Sequence, residues 1–285
     1  MLRPPMFADL TDRQWLWLAA ACYLAGFLRG TAAILRGERP SGGMMYGIIG
    51  LAYVLQFLGL YLRGRTDGGC PLGNAFEILQ FVAWSAITLY LVVGVTFRSS
   101  LLGFLTAGLA AVLTLASLAV PAWDATRHAH IFGHNPWIEL HAAIALFSYG
   151  VFGLLALTSL LFLLRHYSLK SKHLDGWFTL LPSIVDIDHI GLRLLTVGVA
   201  LLSASLAVGT VYWLRDTGTV DRGTLFVTVA VWAAYALALG LRLGGRLRAK
   251  RFAWTCLALF VAALLSIGPV NASRHPPLAT QEAPR

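Results

Sequence analysis

Residues 137–164 read WIELHAAIALFSYGVFGLLALTSLLFLL, and this stretch decides how the chain folds. After Glu139 and His141 it carries no charge until Arg165, which leaves roughly 24 mainly apolar residues, enough to cross a ~30 Å hydrocarbon layer. His141 is therefore expected where water meets the bilayer. A metal-ligating side chain at that depth predicts a functional site, and the structural alternative is a helix-end histidine bonded to a neighbouring carbonyl.

The composition predicts a polytopic membrane protein. Hydrophobic residues make up 58% of the 285 residues and charged residues 12%, which is too little polar surface to coat a soluble globule. The net charge of +9 does not indicate a nucleic-acid-binding protein, because Lys and Arg stand in short clusters between apolar runs, where they set topology and contact anionic lipid. The first apolar run shows no small-residue cleavage site, so we expect a retained helix rather than a signal peptide. Cys22, Cys70 and Cys256 form no CxxC pair, which argues against a thiol-redox site and against covalent haem attachment.

The hydropathy pattern predicts a single all-α membrane domain over residues 1–285, ending in a polar tail at 276–285. Apolar stretches of spanning length are bounded by charges, Gly or Pro, and Gly-rich joints such as Gly244-Gly245 allow only tight connections. Eight helices are predicted, at about 15–35, 44–62, 76–97, 101–120, 139–164, 190–214, 224–241 and 252–270.

The parity of the spans places the histidines on two faces of the membrane. Four spans separate His141 from His275, so these two share a face, whereas His166, His173 and His189 fall on the other. That second face has eleven Lys and Arg in its loops against nine on the His141 side, so the orientation depends mainly on one basic cluster. The cluster predicts a cytoplasmic second face and extracytoplasmic termini, and it comprises Arg242, Arg246, Arg248, Lys250 and Arg251.

The predicted outward face is rich in residue types that bind metals or cofactors. Iron in a porphyrin needs one or two axial imidazoles and a large apolar cavity, whose aromatic wall could include Trp84 and Trp232. Glu77, near the start of the third span, is costly unless it is paired or lies at the membrane interface, and its candidate structural roles are a bond to a neighbouring backbone group and a cap at a helix start. The candidate site residues on this face are Glu77, Trp137, His141, Trp213 and His275.

Two other polar groups carry competing interpretations. The closely spaced His128, His130 and His134 could clamp zinc or copper, although a solvated loop that happens to be histidine-rich is the simpler interpretation. Asp186 and Asp188, just before the sixth span, are expected to cap that helix.

Several motifs in order resemble the cytochrome c assembly family of integral membrane proteins, with its CcsA and HemX-like members. Residues 71–84, PLGNAFEILQFVAW, are similar to the family signature PLSNxYExLxFxxW. Trp137 to His141 resembles the family's Wxx(x)H start of a membrane helix, and residues 188–198 followed by Gly209 and Trp213 resemble its next helix. Residues 232–235, WAAY, are similar to its WxxY, and the resemblance covers roughly residues 71–275.

The resemblance implies an eight-helix bacterial inner-membrane protein that handles non-covalently bound b-type haem. It implies His141 and His275 as axial iron ligands. Cationic side chains on the same face are expected to meet the haem propionates, namely Arg127, Arg215, Arg222 and Arg274.

Two departures from the family pattern favour the HemX-like branch. The loop that begins at Trp213 keeps one Trp and an Asp but lacks the tryptophan-rich WGxxWxWDPKE motif. Residues 224–274 contain no histidine, whereas haem-ligating members carry one a few residues after WxxY. Direct ligation of haem to a cytochrome is therefore not implied.

We expect a non-catalytic protein that binds or passes haem in cytochrome c biogenesis, with membrane lipid and other assembly proteins as partners. The first alternative is a HemX-like regulator or scaffold without a haem transfer role, whose basic loops at 165–173 and 242–251 contact a haem-biosynthesis enzyme. The second is a metal transporter using the loop histidines, which should show more polar residues at mid-membrane.

Overall fold

A computed structural model describes residues 10–38, 41–97, 100–125, 136–172, 183–213 and 222–273. Over these ranges the chain is all-α and contains no strand. One short 3-10 turn, Pro121–Asp124, follows the fourth helix. The helices are α1 (Asp12–Leu35), α2 (Gly42–Asp67), α3 (Ala75–Phe97), α4 (Ser100–Ala119), α5 (Pro136–Lys170), α6 (Ile184–Trp213), α7 (Arg222–Leu243) and α8 (Ala249–Ser273).

Each predicted span corresponds to one observed helix. α1 to α7 contain, among the described residues, a stretch long and apolar enough to cross a membrane. α8 begins beside Lys250 and Arg251 and carries no charge from Phe252 to Leu265. The predicted all-α polytopic membrane bundle is confirmed. The helices α2, α5 and α6 extend one or more turns beyond their predicted ends, because the helical backbone continues into the polar residues that flank each apolar run.

Local sequence signals explain where several helices begin and end. Thr11 and Gln14 form a reciprocal capping box at the start of α1, in which each side chain accepts a hydrogen bond from the other residue's backbone N–H. α7 ends in the predicted tight joint, where Gly245 has φ of 70°, a conformation that glycine adopts without strain. These signals confirm the short connection between α7 and α8.

α5, which contains the stretch quoted first, is the helix around which the bundle is built. It packs against α3, α4, α6 and α8, so it joins the group α1–α4 to the group α6–α8. In its apolar window 67% of the residues are buried inside the structure, against 11% for α7 at the periphery. Because lipid tails are as apolar as leucine, close packing rather than expulsion from water holds these helices together.

The length of α5 separates two faces of the bundle, which we call the His141 face and the opposite face. His141 lies in the second turn of α5, and His166 lies near its other end, roughly 37 Å away at 1.5 Å per residue. His189 lies in the second turn of α6, which begins at the opposite face. The predicted separation of these histidines from His141 is confirmed, and His173 lies outside the described residues.

Candidate ligand site at the His141 face

His141 is held against α6 by hydrogen bonds that determine which of its ring nitrogens carries the hydrogen in the neutral imidazole. Its Nδ1 atom lies 2.6 Å from the backbone oxygen of Ser205 and 3.0 Å from the Ser205 hydroxyl. That hydroxyl donates its proton to the backbone oxygen of His141 at 2.8 Å. Since a carbonyl oxygen can only accept, Nδ1 must carry the hydrogen. The lone pair of the neutral ring is therefore on Nε2.

A glycine on α6 makes room for this ring. A Cβ atom at Gly209 would lie 2.6 Å from Cε1 and 2.9 Å from Nδ1 of His141, closer than side-chain carbons approach. The imidazole thus packs directly on the α6 backbone, one turn beyond Ser205. Ser205 bonds Nδ1 of the ring, and the missing side chain of Gly209 leaves the space that the ring occupies. This close contact explains the glycine at this position.

The hydrogen bonds of His141 match those of a metal-ligating histidine. Metal-ligating histidines usually donate one ring N–H to a backbone carbonyl or carboxylate and bind the metal through the other nitrogen. His141 shows this arrangement. Its Nδ1 faces the backbone carbonyl of Ser205, and its Nε2 has no hydrogen bond from the residues that the structure describes. These residues also contain no group of three or more His, Cys, Asp or Glu that could hold a metal ion. His141 could therefore hold a metal through Nε2, and no pair of further protein ligands lies beside it among the described residues.

Most of the other predicted ligand and propionate residues lie outside the described residues. The side chains of Trp213 and Arg222 also lie outside the described set, although their helices are described. The predicted residues that lie outside the described ranges altogether are Arg127, His128, His130, His134, Arg215, Arg274 and His275.

Glu77 is buried and paired rather than exposed to a ligand. Its Oε1 accepts a hydrogen bond from Nε of Arg63 at 2.5 Å, and its Oε2 accepts one from the backbone N–H of Gly73 at the same distance. Asn74 caps α3 by accepting from the Glu77 N–H at 2.9 Å. Both interpretations of Glu77, a paired carboxylate and a backbone contact at a helix start, are thus observed together. The motif PLGNAFE acts here as a helix start joined to an ion pair.

Arg63 on α2 is the centre of a buried ion-pair cluster that the sequence analysis did not identify. Its side chain is 0% exposed, and besides Glu77 it contacts Asp12 of α1 at 3.0 Å and Asp124 of the 3-10 turn. Phe76 lies beneath the guanidinium, with the ring centroid 4.7 Å from Cζ. Arg13 reaches Asp124 at 2.7 Å from the solvent side. Four separate segments of the N-terminal half therefore meet at one side chain.

A second polar layer lies deeper in the same half. The Tyr23 hydroxyl donates to the Gln56 side chain at 2.9 Å, and Gln56 donates to the Gln80 side-chain oxygen at 2.9 Å. Gln80 in turn donates to the Ser117 hydroxyl at 2.8 Å. The chain of hydrogen bonds crosses α1, α2, α3 and α4, and all four side chains are buried. Each amide is satisfied within the bundle, as a polar group in hydrocarbon requires.

The loop 68–74 connects the Arg63 cluster to the start of α5. A Cβ atom at Gly69 would lie 2.8 Å from Oε1 of Glu139, so the loop backbone rests against the first turns of α5. Burial, together with the carboxylates of Glu139 and Glu77, raises the pKa of the neighbouring Cys70 to about 11. Glu139 lies two residues before His141, so the loop that carries the Arg63 cluster contacts α5 close to His141.

The tryptophans are distributed among different helix pairs. Trp84 stacks on Tyr53 of α2, with ring centroids 5.5 Å apart, whereas the Trp232 indole N–H on α7 donates to Ser203 of α6 at 2.8 Å. Trp137 is 57% exposed. These rings serve helix contacts and an interfacial position, and the described side chains do not assemble them into one wall.

At the opposite face, Asp188 has a role different from the one predicted. It forms an ion pair with Arg242 across α6 and α7, while the Ser183 hydroxyl accepts from the backbone N–H of Val185 at the start of α6. The prediction that Asp188 caps α6 is wrong, because α6 begins earlier and places this residue in its second turn. Asp186 lies in the first turn, where a carboxylate is favourable.

Comparisons with known proteins give consistent matches. The family model for "Cytochrome C assembly protein" matches residues 72–271. Protein HemX of Brevibacillus brevis is 26% identical over 271 residues, covering 93% of this chain and 99% of the relative. Protein HemX of Bacillus subtilis (strain 168) is 26% identical over 182 residues, covering 62% and 64%. Cytochrome c biogenesis protein CcsA of Chlamydomonas reinhardtii is 26% identical over 182 residues, covering 58% and 47%.

Proposed function

Because the chain belongs to the cytochrome C assembly protein family, we propose that it binds haem at the His141 face, with Nε2 of His141 as an axial ligand of the iron. The observation that carries the proposal is the hydrogen bond from Nδ1–H of His141 to the Ser205 carbonyl. It holds the ring in the tautomer that a metal needs, and Gly209 allows this orientation. The bound iron-porphyrin would supply the redox-active or transferable group.

We assign the second axial position to His275, which we expect on the same face because four predicted spans separate it from His141. Arg127, Arg215, Arg222 and Arg274 are candidates for the propionates, because arginine pairs with carboxylates through two parallel hydrogen bonds. Glu77 has a structural role near the site and does not bind haem itself, because both of its carboxylate oxygens are already bonded to Arg63 and Gly73. The proposal contains no bond-making step, so the protein holds or passes haem without catalysis. It also places the protein in the bacterial inner membrane with both termini extracytoplasmic.

A second function, a membrane regulator or scaffold for a haem-biosynthesis enzyme, is supported by the basic cluster at the opposite face. Arg242 in this cluster is engaged by Asp188, but the other four cationic side chains are exposed. Exposed cations beside two spans can contact an acidic partner as well as anionic lipid. The two relatives named HemX are compatible with this alternative.

The absorbance spectrum of hemin-loaded protein in detergent tests the primary proposal. Two imidazoles give a low-spin, six-coordinate iron, so the parent should show a low-spin spectrum. His141→Ala and His275→Ala should each shift it toward high spin or lose haem, and added imidazole should partly restore it. His166→Ala, at the opposite face, is the matched control and should leave the spectrum unchanged.

If the parent binds hemin no better than the double variant His141→Ala, His275→Ala, the haem proposal fails. The scaffold function then becomes the better account. Replacing Arg246, Arg248, Lys250 and Arg251 by Gln should in that case abolish co-purification of the partner enzyme without changing hemin binding.

A further inference from the structure

We infer that Arg63 is a positioning residue for the His141 site, although it does not touch His141. The inference rests on the proposed function for its ligand, but the contacts that carry it are independent of haem. Arg63 lies on α2, and the family match begins at residue 72. The part of the chain outside the matched range thus supports the part inside it.

The first step runs from Arg63 to the signature motif. The guanidinium reaches Glu77 through Nε, Asp12 through Nη1 and Asp124 through Nη2. The other Glu77 oxygen accepts from the backbone N–H of Gly73. Only a planar fork with donors in several directions can satisfy three carboxylates at once, which is why Lys is not equivalent. Arg63 therefore fixes the Glu77 carboxylate, and this carboxylate fixes the end of the loop 68–74.

The second step runs from that loop to α5. The Gly69 backbone lies against the Glu139 carboxylate. Glu139 precedes His141 by two residues in α5. α3, which starts at the end of the loop, packs along α5. The loop and α3 together set where α5 begins. A shift of α5 along α6 would carry His141 away from the Ser205 carbonyl and from the space at Gly209.

Arg13 provides the matched comparison. It binds Asp124 at 2.7 Å and the backbone oxygen of Leu118 at 3.3 Å, but no hydrogen bond or ion pair joins it to Glu77 or the loop among the described residues. Its side chain is 32% exposed, whereas that of Arg63 is 0% exposed. Both arginines lie over Phe76. Loss of Arg13 removes a charge from the same cluster without releasing Glu77, so the two substitutions separate positioning from general charge balance.

The haem-independent test is a cross-link between the loop and α5. Cysteines introduced by Gly69→Cys and Glu139→Cys, in a Cys70→Ala background, should be joined by a short bifunctional thiol reagent, because a Cβ atom at Gly69 would lie 2.8 Å from the carboxylate oxygen Oε1 at the end of the Glu139 side chain. Adding Arg63→Gln should slow this reaction at least about tenfold, whereas Arg13→Gln should change it less than about twofold. An equal rate with and without Arg63→Gln overturns the inference.

The second readout is hemin titration in the otherwise native chain. Arg63→Gln should weaken low-spin binding by at least about tenfold, the lower end of what loss of an outer support costs a metal site. Arg13→Gln should leave it within about twofold. If cross-linking slows while hemin binding is unchanged, His141 does not depend on the loop and the inference is wrong. If hemin binding falls while cross-linking is unchanged, Arg63 acts directly on the ligand, which also overturns positioning.

Two controls keep the outcomes distinct. His141→Ala must weaken hemin binding, and if it does not, the proposed function fails while the cross-link still tests the contact between Arg63 and the loop. If Arg63→Gln gives no folded protein by helicity and size-exclusion profile, Arg63→Lys replaces it. This variant keeps the charge but satisfies fewer carboxylates, and it should give a loss in both readouts that is smaller but in the same direction.

Discussion

The two halves of the bundle are held together by different kinds of contact. In α1–α4, Arg63 and the glutamines Gln56 and Gln80 join the helices through charged and amide hydrogen bonds. In α5–α8, the helices are joined by ring packing, such as the stacking of Phe152 on Tyr235 with centroids 3.7 Å apart, and by single polar contacts, such as the hydrogen bond from the Trp232 indole to Ser203. Arg63 and the two glutamines of the first half are paired internally, whereas in the second half Nε2 of His141 has no hydrogen bond among the described residues.

This difference separates stability from ligand binding. A polar network whose members are all paired rigidifies a bundle but offers nothing to a ligand. His141 is anchored to the α6 backbone by one nitrogen only. Substitutions in the first half should therefore lower stability and reach the ligand only through the loop 68–74, and substitutions around His141 should affect mainly the ligand.

The largest stability effect is expected at Arg63. Arg63→Met should lower the free energy of unfolding by about 3–5 kcal/mol, because it leaves buried carboxylates without their shared partner. Unfolding in detergent by sodium dodecyl sulfate, followed by circular dichroism, measures the change. Arg13→Gln, at the edge of the same cluster, should cost no more than about 1 kcal/mol. Equal losses for the two arginines would show that the cluster has no centre.

A smaller loss is expected in the deeper polar layer. Gln80→Leu should cost about 1–3 kcal/mol, because the Gln56 amide and the Ser117 hydroxyl each lose one of their hydrogen bonds in an apolar interior. The double variant Gln56→Leu, Gln80→Leu should lose less than the sum of the single losses, since it removes both sides of the bond. Additive losses in the same unfolding assay would mean that the two glutamines do not act as a network.

The smallest stability effect, but the larger ligand effect, is expected at Gly209. Gly209→Ala should cost roughly 1 kcal/mol, the net of overpacking against His141 and the better helix propensity of alanine. It should also shift hemin-loaded protein toward high spin. Gly240→Ala on α7, where a Cβ meets no atom within 4 Å, is the control and should be neutral or slightly stabilising. A normal low-spin spectrum for Gly209→Ala would separate the ring orientation from ligation.

Much of the fold could be predicted from the sequence, because membrane spans are encoded locally. Apolar runs of spanning length and glycine joints define the eight helices among the described residues, and the motifs in their family order predicted the family that the comparisons confirm. The motif PLGNAFE also predicted a paired or capping Glu77, although not its partner.

The partners could not be predicted, since they depend on which helix faces meet. Arg63 is separated from Asp124 by 61 residues and Ser205 from His141 by 64, and nothing in either local sequence identifies the other. One signal was present for Arg63: span parity places it on the same face as Glu77, 14 residues later. The role of Asp188 was wrong for a related reason, since its partner Arg242 lies 54 residues away.

The Arg63 cluster also has a consequence for how the protein is made. During synthesis Asp12 precedes Arg63 by 51 residues, so α1 and α2 can pair as soon as both leave the ribosome. Glu77 emerges 14 residues after Arg63. Asp124 emerges 61 residues after Arg63, and this longer separation is a delay of roughly 3 to 12 s at typical elongation rates. An arginine at a helix end can wait at the membrane surface by extending its side chain to water. The fully buried guanidinium is therefore a late product of biogenesis, completed only when the fourth helix has crossed the membrane and Asp124 has reached the cluster.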